Sequence, residues 1–316
     1  MKKTFSKITA ALLVCIMIFS LAACGGSKSS SEAKTGTTST YAYLVDTTDL
    51  VKPELDLSNA DGALKSILDK GVLVIATSPD YPPAEFVDAT DGKIYGSEMM
   101  LAKYVADCLG VDLQIEAMDF NSCLTAVDTG KVDMSFSGFG WKEDRQEAYE
   151  LSNGYEGGDD INYHTLICLA EDADKYTSLE AMVGAHIIAQ ASSLQQMYVE
   201  DQILTLEGGD ATELELVTSL DQAILSLQSK KCDLLALDGS TAQKYVAESN
   251  GMFVETGIHF DLTMYGEHEG NVCAAKKGET SLIEAVNACL KTAMDNGYYP
   301  QWYAEAKVMA GITEEE

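Results

Sequence analysis

The stretch Gly71-Val72-Leu73-Val74-Ile75-Ala76-Thr77-Ser78-Pro79-Asp80-Tyr81-Pro82-Pro83 decides the fold. Val72 to Ala76 is an unbroken apolar run, which predicts a strand buried on both faces. Gly71 stops a helical pattern over residues 60–70, in which Ala63, Leu64, Ile67 and Leu68 recur at helical spacing. Residues 78–83 are rich in turn formers and predict a loop. A helix feeding a doubly buried strand is a building unit of an α/β sheet.

Toward the C-terminus the unit repeats. Helices are predicted over 99–109 and 121–129, ended by Gly110 and Gly130, and strands over 111–117 and 132–136. After a polar stretch, 156–162, the alternation restarts. Strands are expected near 163–170, 185–189, 214–217 and 234–237, with helices near 178–182, 192–202, 220–228 and 241–249. A strand at 272–275, a helix at 282–296 and a helix start at 299–303 close the chain. Two α/β units of similar size follow, each with a largely parallel sheet.

Toward the N-terminus the pattern dissolves. Lys2, Lys3 and Lys7 precede an apolar stretch over residues 8–19, too short to span a bilayer and suited to a signal peptide. Leu21-Ala22-Ala23-Cys24 follows and looks like a bacterial lipobox, with Cys24 as the lipidated mature N-terminus. Residues 25–40 are rich in Gly, Ser and Thr and read as a tether. No other apolar run reaches the length of a membrane span, so the expected body is soluble, exported and held at a membrane surface.

With 316 residues the chain suits two domains. Its 21 basic side chains face 50 acidic ones, for a net charge of −29. Loss of residues 1–23 removes three lysines and no acid, leaving −32. Such a chain is repelled by phosphate backbones and anionic lipid, which argues against nucleic-acid binding and makes a covalent anchor the route to the membrane. Six cysteines remain in the body: Cys108, Cys123, Cys168, Cys232, Cys273 and Cys289. Most sit in apolar stretches and are expected as buried thiols. No Cys or His pair has metal spacing, and no cofactor is expected.

Arginine occurs once, at Arg145, against twenty lysines. Its planar fork grips a carboxylate through two parallel hydrogen bonds, which lysine cannot do. It follows Ser137-Gly138-Phe139-Gly140 at the carboxyl end of a predicted strand, where open α/β sheets place ligands. The bland alternative pairs it with Glu143 or Asp144 on the surface. Ser193 and Gln196 fit a capping box, and a helix start with free N–H groups attracts a carboxylate. Asp238 ends the apolar strand Leu234-Leu235-Ala236-Leu237 and reads equally as a ligand-ammonium acceptor or as a helix N-cap.

From about Leu64 to Met309 the chain resembles the polar amino-acid-binding proteins of ABC importers, two-lobed receptors of the periplasmic-binding-protein-like type II fold. The likeness rests on residues 71–83, Met118-Asp119-Phe120, Gly130-Lys131-Val132-Asp133, Ser137-Gly138 with Arg145, Leu151-Ser152 with Tyr155, Val183-Gly184-Ala185 leading to Ser192-Ser193, and residues 232–238. It implies two mostly parallel sheets flanked by helices and joined by two crossovers. The organisation is then a signal peptide at 1–23, a lipidated Cys24 and tether at 24–58, a first lobe from 59–158 plus 270–312, and a second lobe from 159–269.

The resemblance also implies roles. Arg145 clamps a ligand α-carboxylate, helped by Ser192 and Ser193, and Asp238 takes the α-ammonium. Tyr81 and Phe120 wall the side-chain pocket, Ser137 offers a hydroxyl or carbonyl, and Gln190 lines the cleft. Gly138 and Gly140 stand where relatives often carry hydroxyls, Ala84 replaces a common Phe, and Trp141 reads equally as a roof or as packing. Ser78 stands where binders of basic amino acids often carry an acid, which argues against a basic ligand, although nearby Asp80 keeps that option open. The segment between Tyr155 and His164 is longer than usual.

The implied function is capture of an amino acid and delivery to an ABC permease by a lipid-anchored monomer on the outer face of the cell membrane, without catalysis. Two alternatives remain: a dehydratase on the same fold, with Glu85 or Glu267 as its acid, and a sensory or adhesive lipoprotein. Surface solvation is the favoured reading of both glutamates. His164, His186, His259 and His268 lack metal spacing.

Overall fold

A computed structural model of the chain describes residues 45–157, 163–265 and 270–312. The signal sequence, the lipobox with Cys24 and most of the tether lie outside them, as do Glu267 and His268.

Helix α1 (Gly62–Lys70) ends at Gly71, whose φ of 70° turns its N–H back to the Ile67 carbonyl. Strand β1 (Val72–Thr77) follows. The predicted loop beyond it holds a small antiparallel sheet of β2 (Asp80–Tyr81), β3 (Glu85–Val87) and β4 (Ile94–Tyr95). Then come α2 (Ser97–Leu109), β5 (Asp112–Ala117), α3 (Phe120–Asp128), β6 (Met134–Gly140), α4 (Glu143–Ala148) and β7 (Tyr149–Leu151). The second series is β8 (His164–Leu169), β9 (His186–Gln190), α5 (Leu194–Gln202), β10 (Glu213–Val217), α6 (Leu220–Gln228), β11 (Leu234–Asp238), α7 (Gly239–Glu248) and β12 (Phe253–His259). The chain closes with β13 (Asn271–Lys276), α8 (Thr280–Asp295) and α9 (Tyr298–Met309).

Two five-stranded sheets result, ordered β5-β1-β6-β13-β7 and β10-β9-β11-β8-β12. In each, the first three strands pair in parallel and the last two ladders are antiparallel. The reversed strands share one history. β8 is the first strand after the chain leaves the first sheet, and β13 is the first after it returns. A parallel neighbour needs a crossover helix to bring the chain back to the starting edge. β8 and β13 arrive directly from the other lobe and run the opposite way.

The cores follow the period of two expected of strands. In β1, Leu73 and Ile75 enter one cluster with α2 and α8, while Val74 and Ala76 face another with Phe120 and Phe139. In β11, Leu234 and Ala236 face one side and Leu235 and Leu237 the other. All six body cysteines are unbridged, and every one but the half-buried Cys108 is buried. No described helix is long and apolar enough to cross a membrane.

Candidate functional site

Strands β6, β9 and β11 end at a cavity of about 340 Å³ walled by both lobes. β6 delivers Gly138 and Gly140 to it, with Trp141 just beyond the strand, α3 delivers Phe120, and α4 delivers Arg145. From the second lobe, β9 brings Gln190, α5 and its cap bring Ser193 and Leu194, and β11 brings Asp238.

Arg145 is only 5% exposed. Its guanidinium lies over the rings of Phe139 and Phe120, 5.1 and 6.0 Å from their centroids. One Nη donates to the Gly140 carbonyl, and the other donates at 2.9 Å to the Ser192 carbonyl of the second lobe. Burial pulls its pKa down to about 10, so it stays charged at neutral pH. The surface reading therefore fails: both contacts go to backbone carbonyls in a buried setting. Guanidinium carries five N–H donors, so three remain for another acceptor.

Asp238 fills the N-cap role read for it and lines the cavity. One oxygen accepts from the Thr241 N–H at 3.1 Å and caps α7. The other, Oδ2, is buried beside the Tyr81 phenol and has no partner at full hydrogen-bond geometry. Burial raises its pKa. Burial, and then the Asp238 carboxylate, push the Tyr81 phenol well above its usual range. A buried carboxylate oxygen without a partner is costly unless a donor comes to it.

Of the residues expected at the site, Tyr81, Phe120, Gly138, Gly140, Trp141, Arg145, Gln190, Ser193 and Asp238 line the cavity. Ser137 and Ser192 do not. Ser137 is fully buried beneath it; its hydroxyl donates to Glu85 at 3.1 Å and accepts from the Ser78 N–H at 2.9 Å. Ser192 sits at φ 65°, with its N–H held by Gln196 Oε1 at 2.7 Å and its carbonyl turned to Arg145. The Ser193 hydroxyl is engaged as well, donating to the Gln190 carbonyl at 2.6 Å while accepting from the Gln196 N–H.

Gly138 and Gly140 lack side chains for steric reasons. A Cβ on Gly138 would come within 2.6 Å of the Tyr81 ring, and one on Gly140 within 2.2 Å of Leu194 across the cleft. Close approach of rings and lobes takes the space that a hydroxyl would occupy.

Sequence reading missed a wall of aromatics. Tyr155, Tyr163, Tyr198, Tyr299 and Tyr303 line the cavity along with Tyr81, Phe120 and Trp141. Tyr155 and Tyr299 meet edge to face at 5.0 Å. Tyr299 and Tyr303 are four apart on α9 and share a helical face, a signal visible in the sequence. The others are scattered and carry no local signature.

Glu85 is not a surface residue. It is fully buried below the cavity, with Oε1 on the Ser137 hydroxyl and Oε2 unpartnered. β3 carries it under the floor, where an isolated sequence position gives no hint of burial. Glu98 is also fully buried and receives the Tyr155 hydroxyl on both oxygens at 2.8 Å. Burial lifts the Glu98 pKa to about 8. Burial and the Glu98 charge push Glu85 well above the carboxylate range. No group of three or more potential metal ligands comes together among the described residues.

Residues 73–306 match the model of the bacterial extracellular solute-binding proteins, family 3. The chain belongs to that family. This solute-binding protein is 24% identical over 255 residues to the arginine-binding protein ArgT of Corynebacterium glutamicum, with 79% of each chain covered. It is 25% identical over 250 residues to the L-cystine-binding protein TcyA of Bacillus subtilis, covering 78% of this chain and 86% of that one. Its fold matches the crystal structure of an amino acid ABC transporter substrate-binding protein from Streptococcus pneumoniae bound to L-arginine. There the TM-score is 0.69 and the identity 28%, over 81% of this chain and all of that one. The two-lobed type II fold follows from these matches and from the paired sheets.

Proposed function

We propose that this solute-binding protein captures an amino acid with a cationic side chain between its lobes and delivers it to an ABC permease. The observation that carries the reading is one cavity holding a buried guanidinium with donors to spare and a buried, unpartnered carboxylate oxygen, one from each lobe. A zwitterion satisfies both: carboxylate to Arg145, ammonium to Asp238. A ligand held by both lobes favours the closed arrangement, which is the basis of hinge capture.

The side-chain class rests on the walls. Eight aromatic rings line the cavity, Glu156 lies among them, and no lysine does among the described residues. Aromatic faces attract cations. The arginine-binding relatives support this reading over the one drawn from Ser78, whose hydroxyl donates to Asp80 at 2.9 Å.

The binding reading is favoured over the dehydratase because Glu85, the described candidate acid, lies below the cavity wall and hydrogen-bonds Ser137. Export and the lipid at Cys24 rest on the signal pattern and agree with an extracellular family.

Thermal shift against the common amino acids tests the function. Ligand at 100 times its Kd adds about 2.7 kcal/mol of stability. Arginine or lysine should shift the melting temperature, and Arg145→Ala should abolish the shift. A response to neutral amino acids alone would remove the cationic class; no response to any would remove the amino-acid reading. Release of Cys24→Ala protein from the membrane fraction of cells tests the anchor.

A further inference from the structure

We infer that Asp80 is a latch that closes the lobes without help from a ligand, by capping a helix of the opposite lobe. Helix α6 begins at Leu220, and its own N-cap residue, Ser219, makes no side-chain capping bond. The Leu220 N–H instead donates at 2.8 Å to Asp80 Oδ2, 140 residues away in the first lobe. A carboxylate at a helix start is favoured by the free N–H groups and by the helix dipole.

The rest of the segment is gripped from the same side. Gln190 of β9 reaches Asp80 Oδ2 at 3.4 Å, while Ser78 steadies the other oxygen. Thr241 of α7 donates to the Pro82 carbonyl at 3.0 Å. The Tyr81 ring packs against the second-lobe cluster built around Leu220, Leu235 and Leu237. Asp80 is buried to 9% exposure by these contacts. Every partner is a protein atom, so the tie itself needs no ligand atom.

A latch of this kind raises the closed fraction of the unliganded protein. The affinity for ligand rises with that fraction, because less of the binding energy goes into closure. A hydrogen bond to a charged group sets the scale at roughly tenfold. The affinity consequence rests on the receptor reading above; the closure itself does not.

The test uses the full chain with no amino acid present, so it is independent of which ligand binds. Hydrogen exchange and small-angle scattering are measured for wild type, Asp80→Ala, and Asp80→Ala with Ser219→Asp, which restores a cap within α6 itself. The latch predicts faster exchange at the start of α6 and a larger radius of gyration in Asp80→Ala. In the double variant, exchange in α6 recovers while the radius stays large. An unchanged radius in Asp80→Ala would overturn the latch. So would recovery of the compact radius in the double variant, since Asp80 would then serve only the helix. Unaltered exchange in core strands β1 and β11 reports that the variants fold.

Discussion

Arg145 donates to the Ser192 carbonyl across the cleft at 2.9 Å, so the only arginine of the chain ties one lobe to the other. The bond holds the guanidinium on the Phe139 face, and under the proposed function its remaining N–H groups meet the ligand carboxylate. Arg145→Lys should fail nearly as badly as Arg145→Ala, because a point charge cannot serve two carbonyls and a carboxylate. Calorimetry should show amino-acid affinity reduced roughly a hundredfold in both. Near-wild-type affinity in the lysine variant would show that charge alone suffices.

Asp238→Asn separates capping from binding. Asparagine caps helices about as well as aspartate, so α7 should keep its start. Burial raises the Asp238 pKa, meaning that the charged form is costly in the fold, and the amide removes that cost. We expect a melting temperature equal to or above wild type together with a more than tenfold loss of affinity, read in the same thermal-shift series.

The two glycines of β6 should respond differently to alanine. At Gly138 the φ of 55° and the rigid Tyr81 ring both resist a Cβ, so Gly138→Ala should cost about 1–3 kcal/mol in denaturant unfolding. At Gly140 the clash is with a flexible Leu194 on the other lobe. Gly140→Ala should unfold near the wild-type midpoint yet bind more weakly, because the added methyl opposes closure.

Glu98 predicts a pH dependence. Its pKa is 4.5 ordinarily and about 8 in the fold, raised by burial. Between those values the native state holds a proton that the unfolded chain releases, so stability falls as pH rises through the window. The contribution is complete below 4.5 and gone above about 8. Glu98→Gln should lessen the fall of the melting temperature with pH across this range, and further replacement of Glu85 by Gln, the other carboxyl raised by burial, should flatten it more. An unaltered slope would show that Glu98 does not titrate there.

Much of the architecture was legible because it is written in local pattern. The nine residues of α6 (Leu220–Gln228) match the predicted helix, and Gly71 and Gly110 stop theirs where expected. β7 and β12 escaped notice. β7 has three half-buried residues, and β12 lies at a sheet edge with one buried position in seven, so neither shows a clear apolar signal. The reversal of β8 and β13 was also hidden, since strand direction depends on where the chain comes from and not on the strand's residues.

The site divides in the same way. Arg145 stood out by rarity and Asp238 by its place at the end of a buried strand, while Gln190 and the β6 glycines came with the family resemblance. The aromatic wall, the burial of Glu85 and the engagement of Asp80 with α6 did not.

The α/β class, the two-unit division, the strand ends that line the cavity and the resemblance to amino-acid receptors were readable in the chain's order of residues, because hydrophobic period and turn chemistry act over a few residues. Tertiary structure alone decided which side chains meet. Asp80 caps a helix 140 residues away, and Glu85 and Glu98 share one buried floor. Such pairings arise only when segments distant in the chain pack together, and the desolvation that sets the charge of Glu85 and Glu98 exists only in the packed fold.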